Sequence, residues 1–121
     1  MKSCLIVDDS TVIRKAIRRI MEPLFGEIRE AEDGLVALNS CKENMPTVVM
    51  LDWNMPVMTG IDFLKNLRKT AGGDKPFVVL CTTETSFDHI QEALSEGANE
   101  YIMKPFNEDI IREKLQMLGA I

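Results

Sequence analysis

Five polar residues of this chain stand where runs of apolar residues stop. Asp8-Asp9 follow Cys4-Leu5-Ile6-Val7, Asp52 follows Val48-Val49-Met50-Leu51, Thr82 follows Phe77–Cys81, and Lys104 follows Tyr101-Ile102-Met103. A lone charge is costly to bury unless it is paired or held by a metal. If the runs are parallel strands, their carboxyl ends share one edge of the sheet, where ligands of open α/β folds bind. Three carboxylates gathered there repel one another and call for a cation, and oxygen-only ligation suits Mg2+. Carboxylates also act as phosphoryl acceptors. The transition state of phosphoryl transfer spreads charge over three equatorial oxygens, which a metal and a lysine neutralise. This chemistry makes Asp52 the nucleophile and Asp9, supported by Asp8, the holder of Mg2+. Lys104 becomes the counter-charge to a phosphoryl oxygen, and the Thr82 hydroxyl a hydrogen-bond donor to another once the group is attached.

The elements that must position these residues alternate along the chain. Cys4–Val7 reads as a strand and Ser10–Met21 as a helix, with Ser10 able to cap it and Ile13, Ala16, Ile17 and Ile20 on one face. Ile28–Ala31 is a more polar strand, suited to an edge. Asp33-Gly34 signals a turn before a helix over Leu35–Lys42, with Leu35, Leu38 and Lys42 spaced along it. Val48–Leu51 is the next strand, 54–60 a loop, and Ile61–Lys69 a helix with Phe63, Leu64 and Leu67 inward. Phe77–Cys81 is a strand, Ser86–Glu96 a helix closed by Gly97, and Tyr101–Met103 a short strand. Asn107 caps a last helix to about Leu118, with Ile110, Ile111, Leu115 and Leu118 inward. Strands that are apolar throughout are buried on both faces, which implies a parallel sheet with helices on both sides.

Composition narrows the function classes. The 121 residues are enough for one domain, and we expect one over 1–121 with no linker or repeat. A net charge of -5 argues against nucleic-acid binding. No apolar stretch approaches the length of a membrane span, and the N-terminal apolar run is too short for a signal peptide, so a cytoplasmic protein is expected. The three cysteines form no CxxC pair and read as buried apolar side chains.

The residue set resembles that of response-regulator receiver domains, in particular the stand-alone ones that serve chemotaxis. Val7-Asp8-Asp9-Ser10, Leu51-Asp52-Trp53-Asn54-Met55-Pro56 with Gly60, Thr82-Thr83-Glu84 and Tyr101-Ile102-Met103-Lys104-Pro105-Phe106 carry the resemblance, which covers essentially the whole chain. It implies a flavodoxin-like three-layer (βα)5 sandwich, sheet order 2-1-3-4-5, with two helices on one face and three on the other. It further implies that Asp52 takes a phosphoryl group from a histidine of a sensor kinase or histidine phosphotransfer protein. Mg2+ would be held by Asp9, Asp52 and the backbone carbonyl of Asn54, with Asp8 acting partly through water. Lys104-Pro105 would be cis. Thr82 and Tyr101 would move together as a switch, rearranging the unit formed by Ser86–Glu96, Tyr101–Met103 and Asn107–Leu118. Asn54 and Glu84 would border the path of the attacking water and shorten the life of the phosphoryl group. Ile90, Tyr101 and Lys114 would contact a downstream protein, by resemblance a flagellar motor switch, with Phe87 standing where a more polar residue is common. The protein would be a monomer that catalyses only its own phosphorylation and dephosphorylation. Other outlets for the same chemistry are a phosphorelay intermediate, a phosphate sink and a regulator of another signalling enzyme.

Plainer readings compete. Asp52 could cap a helix, although Asn54-Met55-Pro56 opposes an immediate one, and Asp8-Asp9 are surplus as caps beside Ser10. Thr83 rivals Thr82. Trp53 flanks the site, His89 reads as a surface residue, and the eight methionines fill the core except Met55 and Met58 in the loop. An aspartate-nucleophile phosphatase would carry Asp-x-Asp and a cap segment. A flavodoxin-like cofactor binder would carry a Ser, Thr or Gly-rich loop where this chain has two acids.

Overall fold

A computed structural model describes residues 2–53, 55–83 and 87–121. The strands are β1 (Ser3–Val7), β2 (Glu27–Ala31), β3 (Val48–Asp52), β4 (Phe77–Thr82) and β5 (Glu100–Met103). Between and after them lie α1 (Thr11–Met21), α2 (Gly34–Glu43), α3 (Gly60–Lys69), α4 (Phe87–Ser95) and α5 (Glu108–Leu118). All five strands pair in parallel in the order β2-β1-β3-β4-β5. The polar strand β2 lies at one edge, as its composition requires, whereas every residue of β1 and β3 is buried.

The two-residue period of the strands divides the core into two layers. Leu5, Val7, Val49, Leu51, Val78 and Leu80 face α2, α3 and α4. Cys4, Ile6, Val48, Met50, Val79, Cys81 and Ile102 face α1 and α5. Three helices therefore cover one side and two the other. Phe63, Leu64 and Leu67 of α3 are fully inside, each worth about 1.5–3 kcal/mol of burial. The three thiols are buried and free. Burial drives Cys4 and Cys81 up to about 12 and Cys41 up to about 11, so they remain neutral packing groups.

The caps follow local chemistry. Ser10, Asp33, Thr59 and Asn107 each accept a hydrogen bond from the backbone N–H three residues on. Some inward assignments differ. Ala16, Leu35 and Ile110 are exposed, and Leu118 is only half-buried. Helix α2 is rotated so that Ala37, Leu38 and Cys41 meet the sheet, which leaves Leu35 and Lys42 outside. Ala16 and Ile110 lie at the margins of their apolar stripes, whose buried members are Ile17 and Met21 on α1 and Ile111 and Leu115 on α5. Met55 is a core residue rather than a loop exception, because its side chain is buried in the layer that also holds Phe63, Leu64 and Leu67 of α3. The start of the fourth helix at Ser86 falls outside the described residues.

Candidate functional site

The parallel register brings the polar strand ends to one level. Val7 pairs with Leu51, Asp52 with Cys81, and Thr82 with Met103. Asp8 and Asp52 are 2% and 8% exposed and Thr82 1%, whereas Asp9 faces solvent. The Lys104 backbone N–H donates to the Thr82 carbonyl at 2.8 Å, which fixes where the lysine leaves β5. The Lys104-Pro105 bond is cis. The Lys104 ammonium then donates to Asp8 Oδ2 at 3.1 Å and to Asp52 Oδ1 at 3.0 Å. The other Asp8 oxygen accepts from the Ser10 N–H at 2.8 Å. Arg14, one turn into α1, donates to the Asp8 carbonyl at 2.6 Å and anchors on Glu30 of β2 at 3.0 Å. Asp8 is thus held from three sides, Asp52 by the lysine.

Burial sets the direction of the shift at Asp52. Burial raises the Asp52 pKa, and the repulsion of Asp8 and Asp9 adds to it; the hydrogen bond and charge of Lys104 pull the other way without winning. Burial alone would lower the Lys104 pKa, but the hydrogen bonds and charges of Asp52 and Asp8 outweigh it, and the net direction is up. The ammonium has two acidic neighbours, whereas each acid shares one ammonium. The cluster is short of positive charge.

Oxygen atoms of Asp8, Asp9 and Asp52 lie within 4.8 Å of one another. A hard, oxygen-only donor set with one solvent-facing member fits Mg2+, which keeps several of its waters. The fourth ligand implied by resemblance, the Asn54 carbonyl, lies outside the described residues, as does Glu84.

The chain beyond Asp52 is shaped around the site. Gly60 donates its N–H to the Trp53 carbonyl at 3.0 Å, and a Cβ at Gly60 would run into the Asp52 carbonyl oxygen. Val57, 78% exposed, has φ 66 and stands at the centre of a tight turn closed by Met58 N–H to the Pro56 carbonyl at 2.7 Å. A β-branched residue is strained in this left-handed region.

Thr82, not Thr83, is the buried residue at the end of β4; Thr83 is exposed and lines a surface cavity of about 310 Å3 with Ile13, Ala16, Lys104, Pro105 and Phe106. Tyr101 is half-buried on β5, with the Lys114 ammonium 5.8 Å from its ring centre and 3.5 Å from Glu100. Ile90 is half-buried on α4. Two features escaped sequence reasoning. Arg14 holds the Asp8 backbone, for which a base one turn after the Ser10 cap is the available signal. Trp53 stacks on His89 of α4, ring centres 5.6 Å apart and planes inclined by 27°. His89 is on the surface as expected, but it links α4 to the residue beside Asp52.

Comparison with known proteins agrees with this geometry. The family model described as the response regulator receiver domain matches residues 4–116. Over 115 residues the chain is 40% identical to the chemotaxis protein CheY-3 of Vibrio cholerae serotype O1, covering 94% of this chain and 88% of that one. The structure of the chemotaxis response regulator CheY4 of Vibrio cholerae superposes with a TM-score of 0.90 at 35% identity, covering 98% of both chains. A chain from the CheX–CheY complex with beryllofluoride and Mg2+ from Borrelia burgdorferi superposes with a TM-score of 0.90 at 26% identity, covering 98% of this chain and 89% of that one.

Proposed function

The chain belongs to the response regulator receiver family, and on that premise we propose that it is a phosphorylation-controlled switch in which Asp52 is the acceptor. The observation that carries this reading is the Lys104 ammonium held 3.0 Å from Asp52 and 3.1 Å from Asp8 in a cluster of three carboxylates. In the proposed reaction an Asp52 oxygen attacks the phosphorus of a phosphohistidine on a kinase or phosphotransfer protein. The P–N bond breaks and the histidine nitrogen takes a proton. Lys104 swaps part of its contact with Asp52 for a phosphoryl oxygen, and the Thr82 hydroxyl donates to a second. Asp9 and Asp52, with the Asn54 carbonyl and Asp8 through water, would hold Mg2+, whose charge offsets that gathering on the phosphoryl oxygens. Hydrolysis returns Asp52 and inorganic phosphate, at a rate that Asn54 and Glu84 would tune.

Movement of Thr82 toward the phosphoryl group would let Tyr101 turn inward, changing the face made by α4, β5 and α5. Similarity to chemotaxis proteins favours a downstream protein in motility, a flagellar motor switch being the first to test. Incubation with acetyl phosphate and Mg2+ is expected to add the mass of one phosphoryl group to the wild type and none to Asp52→Ala. Equal labelling of both would refute the assignment. Capture of a motor-switch protein by beryllofluoride-activated protein, and not by Asp52→Ala, tests the pathway. Capture of a kinase or phosphotransfer protein alone points to a relay or phosphate sink.

A further inference from the structure

Resting on the reading of α4, β5 and α5 as the face that meets a partner, we propose that this partner docks through a basic amphipathic segment. Residues 87–118 contain Asp88, Glu92, Glu96, Glu100, Glu108, Asp109 and Glu113 against Lys104, Arg112 and Lys114. That unit therefore holds four of the chain's five net negative charges. Its three bases are already engaged. Lys104 lies in the carboxylate cluster, Lys114 is 3.5 Å from Glu100, and Arg112 is 3.8 Å from Glu108. Among the described residues no cation pairs with Asp88, Glu92, Glu96, Asp109 or Glu113. The unneutralised charge on both helices is all of one sign.

The same unit carries an independent feature. Phe87 and Leu94, two turns apart on α4, are 71% and 37% exposed, with half-buried Ile90 between them on the same side. On α5, Ile110 and Met117 are 38% and 67% exposed and likewise two turns apart. Lys114, between them on that side, sits over the Tyr101 ring, so this side of α5 turns toward β5. On α5 the unpaired Glu113 flanks this apolar side, whereas Asp88, Glu92 and Glu96 form a row four residues apart along α4 and its end, on the side away from Phe87 and Leu94. Apolar anchors with charge around them are the anatomy of a docking surface.

The charge decides the occupant. A second copy meeting this face with its own would set carboxylates against carboxylates, a costly juxtaposition. A nucleic acid or an anionic membrane is repelled for the same reason. A wholly apolar segment leaves the acidic charge unmatched. A helix or strand with aliphatic or aromatic anchors and flanking lysine or arginine satisfies both features.

The test uses two synthetic peptides, one amphipathic with lysine and arginine on its polar face, the other identical but with glutamate for each cation. Each is titrated into 15N-labelled protein holding Mg2+ and beryllofluoride. The basic peptide is expected to bind at least about ten-fold tighter than its acidic twin, more weakly as salt rises, and to shift amide signals in Phe87–Ser95 and Glu108–Leu118. Glu113→Lys should weaken it several-fold, and Asp88→Lys with Glu92→Lys, acting through the field of the whole unit from the other side of α4, by a smaller factor. Reversal of Glu43 and Asp74, on other surfaces, should leave it unchanged. Equal binding of the twins, shifts confined to Asp8, Asp9 and Asp52, equal weakening by every reversal, or concentration-dependent self-association through this face would overturn the proposal. Signals of α4 that ignore beryllofluoride would sink the switch reading alone and leave the comparison of peptides standing.

Discussion

Replacing Asp52 by Asn should make the metal-free protein more stable. Lys104 attracts the Asp52 carboxylate across 3.0 Å, worth roughly 5.5 kcal/mol at an effective dielectric of about 20. Asp8 repels it across at most 4.8 Å, roughly 3.5 kcal/mol on the same scale. Asp9 faces water, so its repulsion over a similar distance is screened to about 1 kcal/mol. Attraction and repulsion thus differ by only about 1 kcal/mol, while the desolvation of a carboxylate costs several kcal/mol. The raised pKa of Asp52 has the same cause, burial first. Asn keeps an acceptor for the lysine, sheds most of the desolvation cost, and leaves Lys104 paired with Asp8. The expected gain is about 1–3 kcal/mol, or a Tm higher by roughly 4–10 °C for a chain of this size.

Thermal unfolding followed by circular dichroism, in chelator and then in Mg2+, reads this directly. Mg2+ at ten times its Kd should stabilise the wild type by about 1.4 kcal/mol and the Asn variant by less, closing the gap. The gap should also close in acid. A carboxyl with a raised folded pKa binds its proton more tightly when folded, so its destabilising effect grows as pH rises from the unfolded pKa through the folded one. Below both values Asp52 is as neutral as Asn. An Asn variant no more stable than wild type in chelator would refute the charge argument, and equal stabilisation of both by Mg2+ would remove Asp52 from the ligands.

Three further outcomes follow from the same geometry. Gly60→Ala places a Cβ against the Asp52 carbonyl and should cost more than about 2 kcal/mol along with phosphoryl acceptance; full labelling by acetyl phosphate would contradict it. Val57→Gly removes roughly 1–2 kcal/mol of left-handed strain against about 0.5–1 kcal/mol of added chain entropy, so denaturant unfolding should show a small gain, and a loss would mean that Val57 packs favourably. His89→Ala should change the emission of Trp53, the only tryptophan, and lower stability by about 0.5–1.5 kcal/mol, with His89→Phe restoring the stability; an unchanged spectrum would show that the stack does not persist in solution.

The alternation of strands and helices and the carboxylate cluster were legible because both rest on local patterns, whereas the sheet order came from the family resemblance. Four-residue apolar runs mark strands buried on two faces, and parallel strands leave their carboxyl ends at one edge, so Asp8, Asp52, Thr82 and Lys104 could be placed together without knowing any distance. What escaped depends on how helices turn against the sheet. Leu35 fits an apolar spacing in α2, but Ala37, Leu38 and Cys41 win the contact, and small side chains that allow close approach look weak in a hydrophobic pattern. Met55 read as a loop residue because Pro56 follows it, yet its side chain is buried in the core. The Trp53–His89 stack joins residues far apart in sequence through neither a repeat nor a motif, and only the fold brings them together.

The site and the partner face share one economy of charge. Three carboxylates around one ammonium leave two negative charges in a pocket that burial makes intolerant of them. A divalent cation would cancel both, and a phosphoryl group on Asp52 would then add negative charge again. Each loading step therefore changes which polar groups the pocket must draw in, and on the proposed reading Thr82, 1% exposed at the end of β4, is one of them. On the same proposed reading helix α4 is the element able to answer. Only Ala93 of its nine residues is buried, so little hydrophobic energy holds it, and the His89–Trp53 contact of about 1 kcal/mol is a sizeable share of what ties it to the loop beside Asp52. A pocket that gains or loses a whole charge can move a helix held so lightly, whereas α3, with Phe63, Leu64 and Leu67 locked beneath it, should stay in place.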